Sequence, residues 1–85
     1  KPKNITAKLN LTKAYASAGQ NDSAKATFTE ILQKDNQNWE AYLELAKVCI
    51  ALKEPEKAEG YLVTLQEKNP TYKASEVARL LQSIK

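Results

Sequence analysis

The side chain in this sequence best suited to covalent chemistry is the thiol of Cys49, its single cysteine. A thiol acts as a nucleophile when a neighbouring base, usually histidine, removes its proton. Because the sequence has no histidine, Cys–His and Ser–His pairs cannot form, and a lone cysteine cannot build the usual zinc sites. Glu54 and Glu56 flank Pro55 in a predicted turn, where carboxylates favour a helix N-terminus. We therefore predict a non-enzymatic chain without catalytic residues, metal or cofactor, in which Cys49 packs as a small apolar side chain.

The remaining chemistry is that of charge. Thirteen Lys and Arg against ten Asp and Glu give a net charge of +3, but residues 39–72 carry an excess of acid and residues 73–85 an excess of base. A nucleic-acid-binding domain concentrates its cations on one face, often with exposed aromatic rings between them. Alternating signs and a single arginine, Arg79, predict that this chain binds no nucleic acid.

Length and hydropathy also limit the function. No apolar run approaches the ~18 residues that span a bilayer, and no signal-peptide pattern opens the chain, so we expect no membrane segment within it. With 85 residues, the chain can form one domain at most. Because it contains no methionine, we expect it to be a fragment of a longer protein.

Five helices are predicted to position these side chains, since apolar and small residues recur at helical spacing and no strand pattern is present. The first helix should stop at Gly19, because glycine takes a left-handed backbone freely. Gly60, inside the fourth helix, costs about 1 kcal/mol relative to alanine and so predicts close packing there. The second helix should begin with a cap within residues 21–23, and the third with Asn38 as its cap. Pro55 should open the fourth helix, and the fifth should run from about Thr71 or Tyr72 to Ile84.

The chain repeats itself when it is shifted by 34 residues. Helix, turn and helix coincide without a gap, and self-similarity of this kind indicates helix pairs that bury their apolar faces on one another. The coinciding pairs include Leu9 with Leu43, Leu11 with Leu45, Lys13 with Lys47, Ala24 with Ala58, Phe28 with Leu62, and Ile31 with Leu65.

On these residues the chain resembles the tetratricopeptide repeat family. The family pattern is met in the first copy by Leu11, Tyr15, Ala24 and Phe28, and in the second by Tyr42, Leu45, Ala46, Ala58, Leu62 and Pro70. The resemblance implies an all-α fold of antiparallel helix pairs, stacked as a right-handed superhelical array (an α-solenoid). Residues 5–38 and 39–72 would form two repeats and 73–85 a C-terminal capping helix, all in a single domain over 1–85. Lys8 and Thr12 stand where the family has tryptophan and glycine, which predicts that the first repeat is terminal or loosely packed.

The resemblance also implies a function, because the family's arrays bind a peptide or helix of a partner in their concave groove and so act as scaffolds. Apolar rows edged by two ammonium groups would suit an amphipathic or acidic segment. A subset of the family clamps a C-terminal carboxylate. One of the matching positions is Glu44 here, and its negative charge argues against that ligand. The groove residues implied are Leu9, Lys13, Leu43, Lys47, Ile50, Val77, Leu81 and Ile84.

Three alternatives stay open at this stage. The leucines and Val77 could pack helix against helix, with the lysines simply solvated. The repeats could also self-associate into a homo-oligomer, through stacked or swapped ends. Finally, the domain could serve as an accessory that positions a linked enzyme.

Overall fold

The computed structural model describes residues 2–84, and their side chains from Ile5 onward. Within this range the chain forms five α-helices and no β-strand, which confirms the predicted all-α class. None of these helices is both long and apolar enough to cross a membrane. The helices are α1 (Pro2–Ser17), α2 (Asn21–Lys34), α3 (Trp39–Ala51), α4 (Pro55–Lys68) and α5 (Ala74–Ser83).

The helices stack in chain order. Each packs against the next, and α1 also contacts α3, so that two helix pairs lie side by side with α5 closing the array. Short turns make sequence neighbours antiparallel. This is the tetratricopeptide-like arrangement that the 34-residue period predicts.

The core follows the repeat. Ala24 and Ala58 are fully buried, because helices approach closely only where the contact residues are small. Large side chains fill the space beside them, and the equivalent pairs Phe28 with Leu62 and Ile31 with Leu65 are buried in both repeats. Leu45 is buried as well, whereas its equivalent, Leu11, is exposed. The largest fully buried apolar side chains are Phe28, Ile31, Leu43, Leu45, Leu62, Leu65 and Val77.

Three of the predicted helix boundaries are confirmed. Gly19 follows α1 with φ at +85°, in the left-handed region expected of it. The side chain of Asn38 caps α3 by accepting a hydrogen bond from the backbone N–H of Ala41 at 3.1 Å. Pro55 occupies the start of α4, where its missing N–H has no partner to lose.

Other local expectations are wrong. The N-cap of α2 is Gln20, whose side chain makes no capping bond, rather than a residue within 21–23. Gly60 is exposed, and a Cβ added to it would meet nothing within 4 Å, so no close packing explains it.

The fifth helix begins later than predicted. Its first residue is Ala74, because Thr71–Lys73 form a turn and Lys73 takes a left-handed backbone with φ at 44°. The 34-residue register still holds at Val77, which matches Leu43, and both residues are buried. It does not hold for burial at Arg79, which matches the buried Leu45 but is exposed.

The first repeat accommodates its two departures from the family pattern. Thr12 is fully buried, and its hydroxyl donates a 2.6 Å hydrogen bond to the carbonyl of Lys8, so the polar atom carries no desolvation penalty. The side chain of Lys8 extends to Glu30 on α2, with Nζ and Oε1 3.0 Å apart. The contact of Lys8 with Glu30 therefore ties α1 to α2, whereas the hydrogen bond of Thr12 lies within α1.

Candidate functional site

An open cleft of about 380 Å³ lies between α1 and α3, beside the beginning of α2. Helical periodicity places its lining residues on one side of each helix, and the repeat brings equivalent positions together. Lys13 and Lys47 are one equivalent pair, and Ser17 and Ala51 are another. The full lining consists of Lys13, Ala16, Ser17, Asn21, Glu44, Lys47, Val48 and Ala51.

Each lysine of the cleft is paired with a glutamate of the following odd-numbered helix. Lys13 donates a 2.5 Å hydrogen bond to Glu40 in the first turn of α3. Lys47 lies 2.8 Å from Glu76 in the first turn of α5. The first turn of a helix favours a carboxylate, because the helix dipole is positive there. These two contacts, called here the inter-repeat ion pairs, link α1 to α3 and α3 to α5.

The ion pairs shift the pKa values of their members. The hydrogen bond to Glu40 raises the pKa of Lys13, and the hydrogen bond to Glu76 raises the pKa of Lys47. The same bond from Lys47 lowers the pKa of Glu76. Lys47 also lies 3.7 Å from Glu44, a second carboxylate, which stands three residues before it on α3. The cleft is therefore lined by charges that are already balanced at neutral pH.

The sequence-predicted apolar residues lie elsewhere. Leu9, Leu43 and Val77 are 5%, 1% and 1% exposed, and they pack in the core between helices. The residues predicted beside them are half-buried and pack against the same core; these are Ile50, Leu81 and Ile84. Of the eight groove residues that the resemblance implies, Lys13 and Lys47 line the cleft.

Some lining residues were not among those predicted. Asn21 reaches the cleft because α2 begins immediately after the Gly19 turn, and that turn was a usable signal. Glu44 precedes Lys47 by three residues on α3, a spacing that places two side chains on the same helix surface. No sequence pattern indicated that Val48 lines the cleft, since an apolar residue in a helix is more simply assigned to the core.

A second, wider depression of about 620 Å³ lies over α2, α3 and α4. Two aromatic rings line it, those of Tyr42 and Tyr61, with centroids 6.5 Å apart. Trp39 does not line it but stacks on Tyr42, with ring centroids 6.0 Å apart. All three rings are half-buried against the core, which is the geometry of helix packing. The residues lining this depression are Lys25, Thr29, Tyr42, Lys57, Gly60, Tyr61 and Thr64.

Cys49 is fully buried in α3, as its place in the repeat predicted. Burial raises the pKa of its thiol, because a thiolate would lose its hydration there. The thiol is thus held in its unreactive, protonated form and functions as a small core side chain.

Comparison with known proteins agrees with this architecture. A family model described as tetratricopeptide repeat matches residues 16–84, from the end of α1 to the last turn beyond α5. No curated protein shows a significant match to the chain. Members of the matched family serve in general as protein-interaction and scaffold modules and are typically not enzymes. The period, the stacked helix pairs and the family match together show that the chain belongs to the tetratricopeptide repeat family.

Proposed function

We propose that this chain is a protein-interaction module that holds a peptide or helix of a partner in the cleft between α1 and α3. One observation carries the proposal: equivalent positions of the two repeats line a single open cleft. Lys13 and Ser17 of the first repeat meet Lys47 and Ala51 of the second. A segment laid across the cleft would contact both repeats at once, and extended segments are recognised through such periodic contacts.

The lining suggests how a segment would be held. Ala16, Ser17 and Ala51 are small and leave room for the ligand's main chain, which Ser17 and Asn21 can bind by hydrogen bonds. The ammonium groups of Lys13 and Lys47 can donate hydrogen bonds to acidic side chains. Because both lysines already pair with glutamates, an acidic group gains only by sharing or exchanging a partner. We therefore expect acidic, amphipathic segments to bind with an affinity that falls as salt is added.

The test uses random peptides displayed on phage and selected on the immobilised chain. Ala51→Trp fills the cleft, and because Ala51 is exposed the variant should fold. Selected peptides should bind this variant at least about tenfold more weakly than the unmodified chain, since a blocked cleft removes most of the contact. Val63→Trp adds the same ring at an exposed position of α4 that does not line the cleft, and should leave binding unchanged.

The outcome that would overturn the proposal is equal binding of the selected peptides to the Ala51→Trp variant and to the unmodified chain. Lys47→Glu provides a second readout, because it should discriminate against acidic peptides and leave neutral ones unaffected. An equal loss for both classes would contradict the role given to the ammonium group.

Self-association is the second candidate function, because Leu11 on α1 is a large apolar residue exposed at one end of the array. Sedimentation of the chain at tens of micromolar tests it, and a monomer would exclude self-association through these repeats. The third role, positioning of a linked enzyme, stays an alternative proposal until a linked enzyme is identified.

A further inference from the structure

Gly60 is a glycine that the fold itself does not require. It lies inside α4, where glycine destabilises a helix relative to alanine, and its φ is outside the left-handed region that favours glycine. A Cβ added to it would meet nothing within 4 Å, so packing does not account for the missing side chain either. The equivalent residue of the first repeat is Ala26, so the array accommodates a side chain at this position. What the glycine provides is open space on the surface of α4.

That space belongs to the depression of about 620 Å³ over α2, α3 and α4. Four of its lining residues follow one another at i, i+3, i+4 and i+7, the spacing of a single helix face. We call them the α4 face; they are Lys57, Gly60, Tyr61 and Thr64. The equivalent residues of α2 differ at all four positions, and they are Ser23, Ala26, Thr27 and Glu30. The helix packing that the two repeats share therefore does not set the α4 face.

The charges of the depression leave one ammonium group available. Lys25 donates a 2.6 Å hydrogen bond to one oxygen of Glu54. Lys57 lies 3.9 Å from the other oxygen of that carboxylate, which is longer than a hydrogen bond, and its side chain is 59% exposed. Because two ammonium groups share one carboxylate, the cluster carries a net positive charge. Charge complementarity thus favours a ligand that brings an acidic group to Lys57.

The apolar part of the depression consists of two tyrosine rings. Tyr42 and Tyr61 have ring centroids 6.5 Å apart, with the ring planes inclined at 53°. Aromatic rings pair favourably with centroids about 4.5–7 Å apart, in offset or edge-to-face geometry. Since Gly60 has no side chain beside Tyr61, a flat ring can approach both the helix backbone and the tyrosine. An aromatic side chain is therefore the apolar group that fits this space.

We propose that the α4 face binds a segment of a partner protein in which an aromatic residue stands next to an acidic one. The aromatic ring lies over Gly60 beside Tyr61, and the carboxylate accepts a hydrogen bond from Lys57. This surface is separate from the cleft between α1 and α3, because the two share no lining residue. The proposal therefore stands independently of the function proposed for that cleft.

The probe is the capped tripeptide Glu-Trp-Glu, titrated into the isotope-labelled chain and followed by NMR. The chain has two glycines, Gly19 and Gly60, whose amide signals give an internal comparison. The signals of Gly60 and Lys57 should move, and that of Gly19 should stay in place. The capped peptides Glu-Ala-Glu and Gln-Trp-Gln, which lack the ring and the charge respectively, should each bind more weakly.

Gly60→Leu tests the open space, because a leucine there would occupy it. This variant should bind Glu-Trp-Glu at least about tenfold more weakly than the unmodified chain. Ala26→Leu is the matched control, since it adds a side chain at the equivalent exposed position of α2, outside the lining of the depression. Its binding should be unchanged. Both variants should keep the melting temperature, because leucine is a strong helix former and both positions are exposed.

Lys57→Gln tests the charge. It should remove the preference for Glu-Trp-Glu over Gln-Trp-Gln, because glutamine carries no ammonium group. Lys34→Gln is the control, since Lys34 is an exposed lysine of α2 that does not line the depression. This variant should keep the preference.

Several results would each overturn the proposal. Equal binding by Gly60→Leu would do so, and so would a fall in its melting temperature, because the space would then not be open. Equal binding of Glu-Ala-Glu would remove the role of the ring, and the absence of any shift up to about 10 mM peptide would remove the site.

Two further outcomes would assign the surface or the peptide differently. Shifts confined to Ser17, Asn21 and Ala51 would place the peptide in the cleft, which overturns this proposal and leaves the function proposed for the cleft intact. A Gly60 signal that moves with chain concentration in the absence of peptide would make a second copy of the chain the occupant, and would also overturn it.

Discussion

Gly19 and Lys53 occupy the same position in successive repeats, and both take a left-handed backbone, with φ at 85° and 62°. Each residue follows the first helix of its repeat and turns the chain into the second. The turn requires this conformation whichever residue stands there. Glycine meets the requirement without strain, whereas a lysine Cβ crowds the neighbouring carbonyl.

Replacing Lys53 by glycine should therefore stabilise the fold. The left-handed conformation costs a residue with a Cβ about 1–2 kcal/mol, and glycine avoids this cost. Glycine also makes the unfolded chain more flexible, which offsets about 0.5–1 kcal/mol of the gain in stability. We expect a gain of about 0.5–1 kcal/mol in the free energy of unfolding, measured by urea titration. Lys57→Gly, inside α4, is the control and should lower the free energy of unfolding. A loss on Lys53→Gly would contradict the strain at this turn.

The two glycines should respond in opposite directions to the same substitution. Gly19→Ala forces a Cβ into the left-handed region and should lower the free energy of unfolding by about 1 kcal/mol. Gly60 lies within α4 with open space around it, so Gly60→Ala should raise that free energy by about 0.5–1 kcal/mol. Thermal and urea unfolding measure both. The same sign for both variants would refute the distinction.

Truncation of Phe28 tests the core. The ring is fully buried, so Phe28→Ala should lower the free energy of unfolding by about 3–5 kcal/mol. Leu11→Ala, at an exposed position of α1, should change it by no more than about 0.5 kcal/mol. Chemical denaturation of both variants compares them, and a large loss on Leu11→Ala would place that residue in the core.

The Lys47–Glu76 ion pair predicts a pH dependence. Because its pKa is lowered in the folded chain, Glu76 contributes stability that is present above its ordinary value of 4.5 and is lost as pH falls through the lowered value. Glu76→Gln should therefore make the acid limb of the stability curve shallower. Both side chains are partly exposed, so the loss at pH 7 should stay within about 1 kcal/mol. Unfolding curves between pH 2 and 7, approximately the range in which carboxylates titrate, measure the effect.

Glu59→Gln is the matched control, because Glu59 is an exposed carboxylate on α4. It should leave the acid limb as it is in the unmodified chain. If both variants flatten that limb equally, overall charge rather than the ion pair sets the acid stability.

The sequence was sufficient to predict the elements that rest on local signals. Gly19, Asn38 and Pro55 each mark a helix end by their own chemistry, and the 34-residue period pairs Lys13 with Lys47. The position of α5 could not be predicted, because a left-handed lysine at 73 carries no signature that distinguishes it from other turn residues.

The site was harder to predict than the fold. Helical spacing assigns a residue to one face of its helix, but burial on that face depends on how deeply the neighbouring helix sits. Leu43 and Lys47 share a side of α3, yet Leu43 is buried and Lys47 lines the cleft. The contact between Lys13 and Glu40 spans 27 residues of sequence, and no local pattern pairs them.

The late start of α5 has a consequence for how the chain opens. The helix has ten residues, and Val77 is the fully buried side chain among them in the part of the chain that the structure describes. Such a segment detaches at a fraction of the free energy of global unfolding. Amide hydrogens of α5 should therefore exchange with solvent well before those of α3, whose core residues are held from both sides. Detachment of α5 would break the contact between Lys47 and Glu76 and expose the apolar side of α4. A protease that cleaves only unfolded segments should therefore cut first in or near α5.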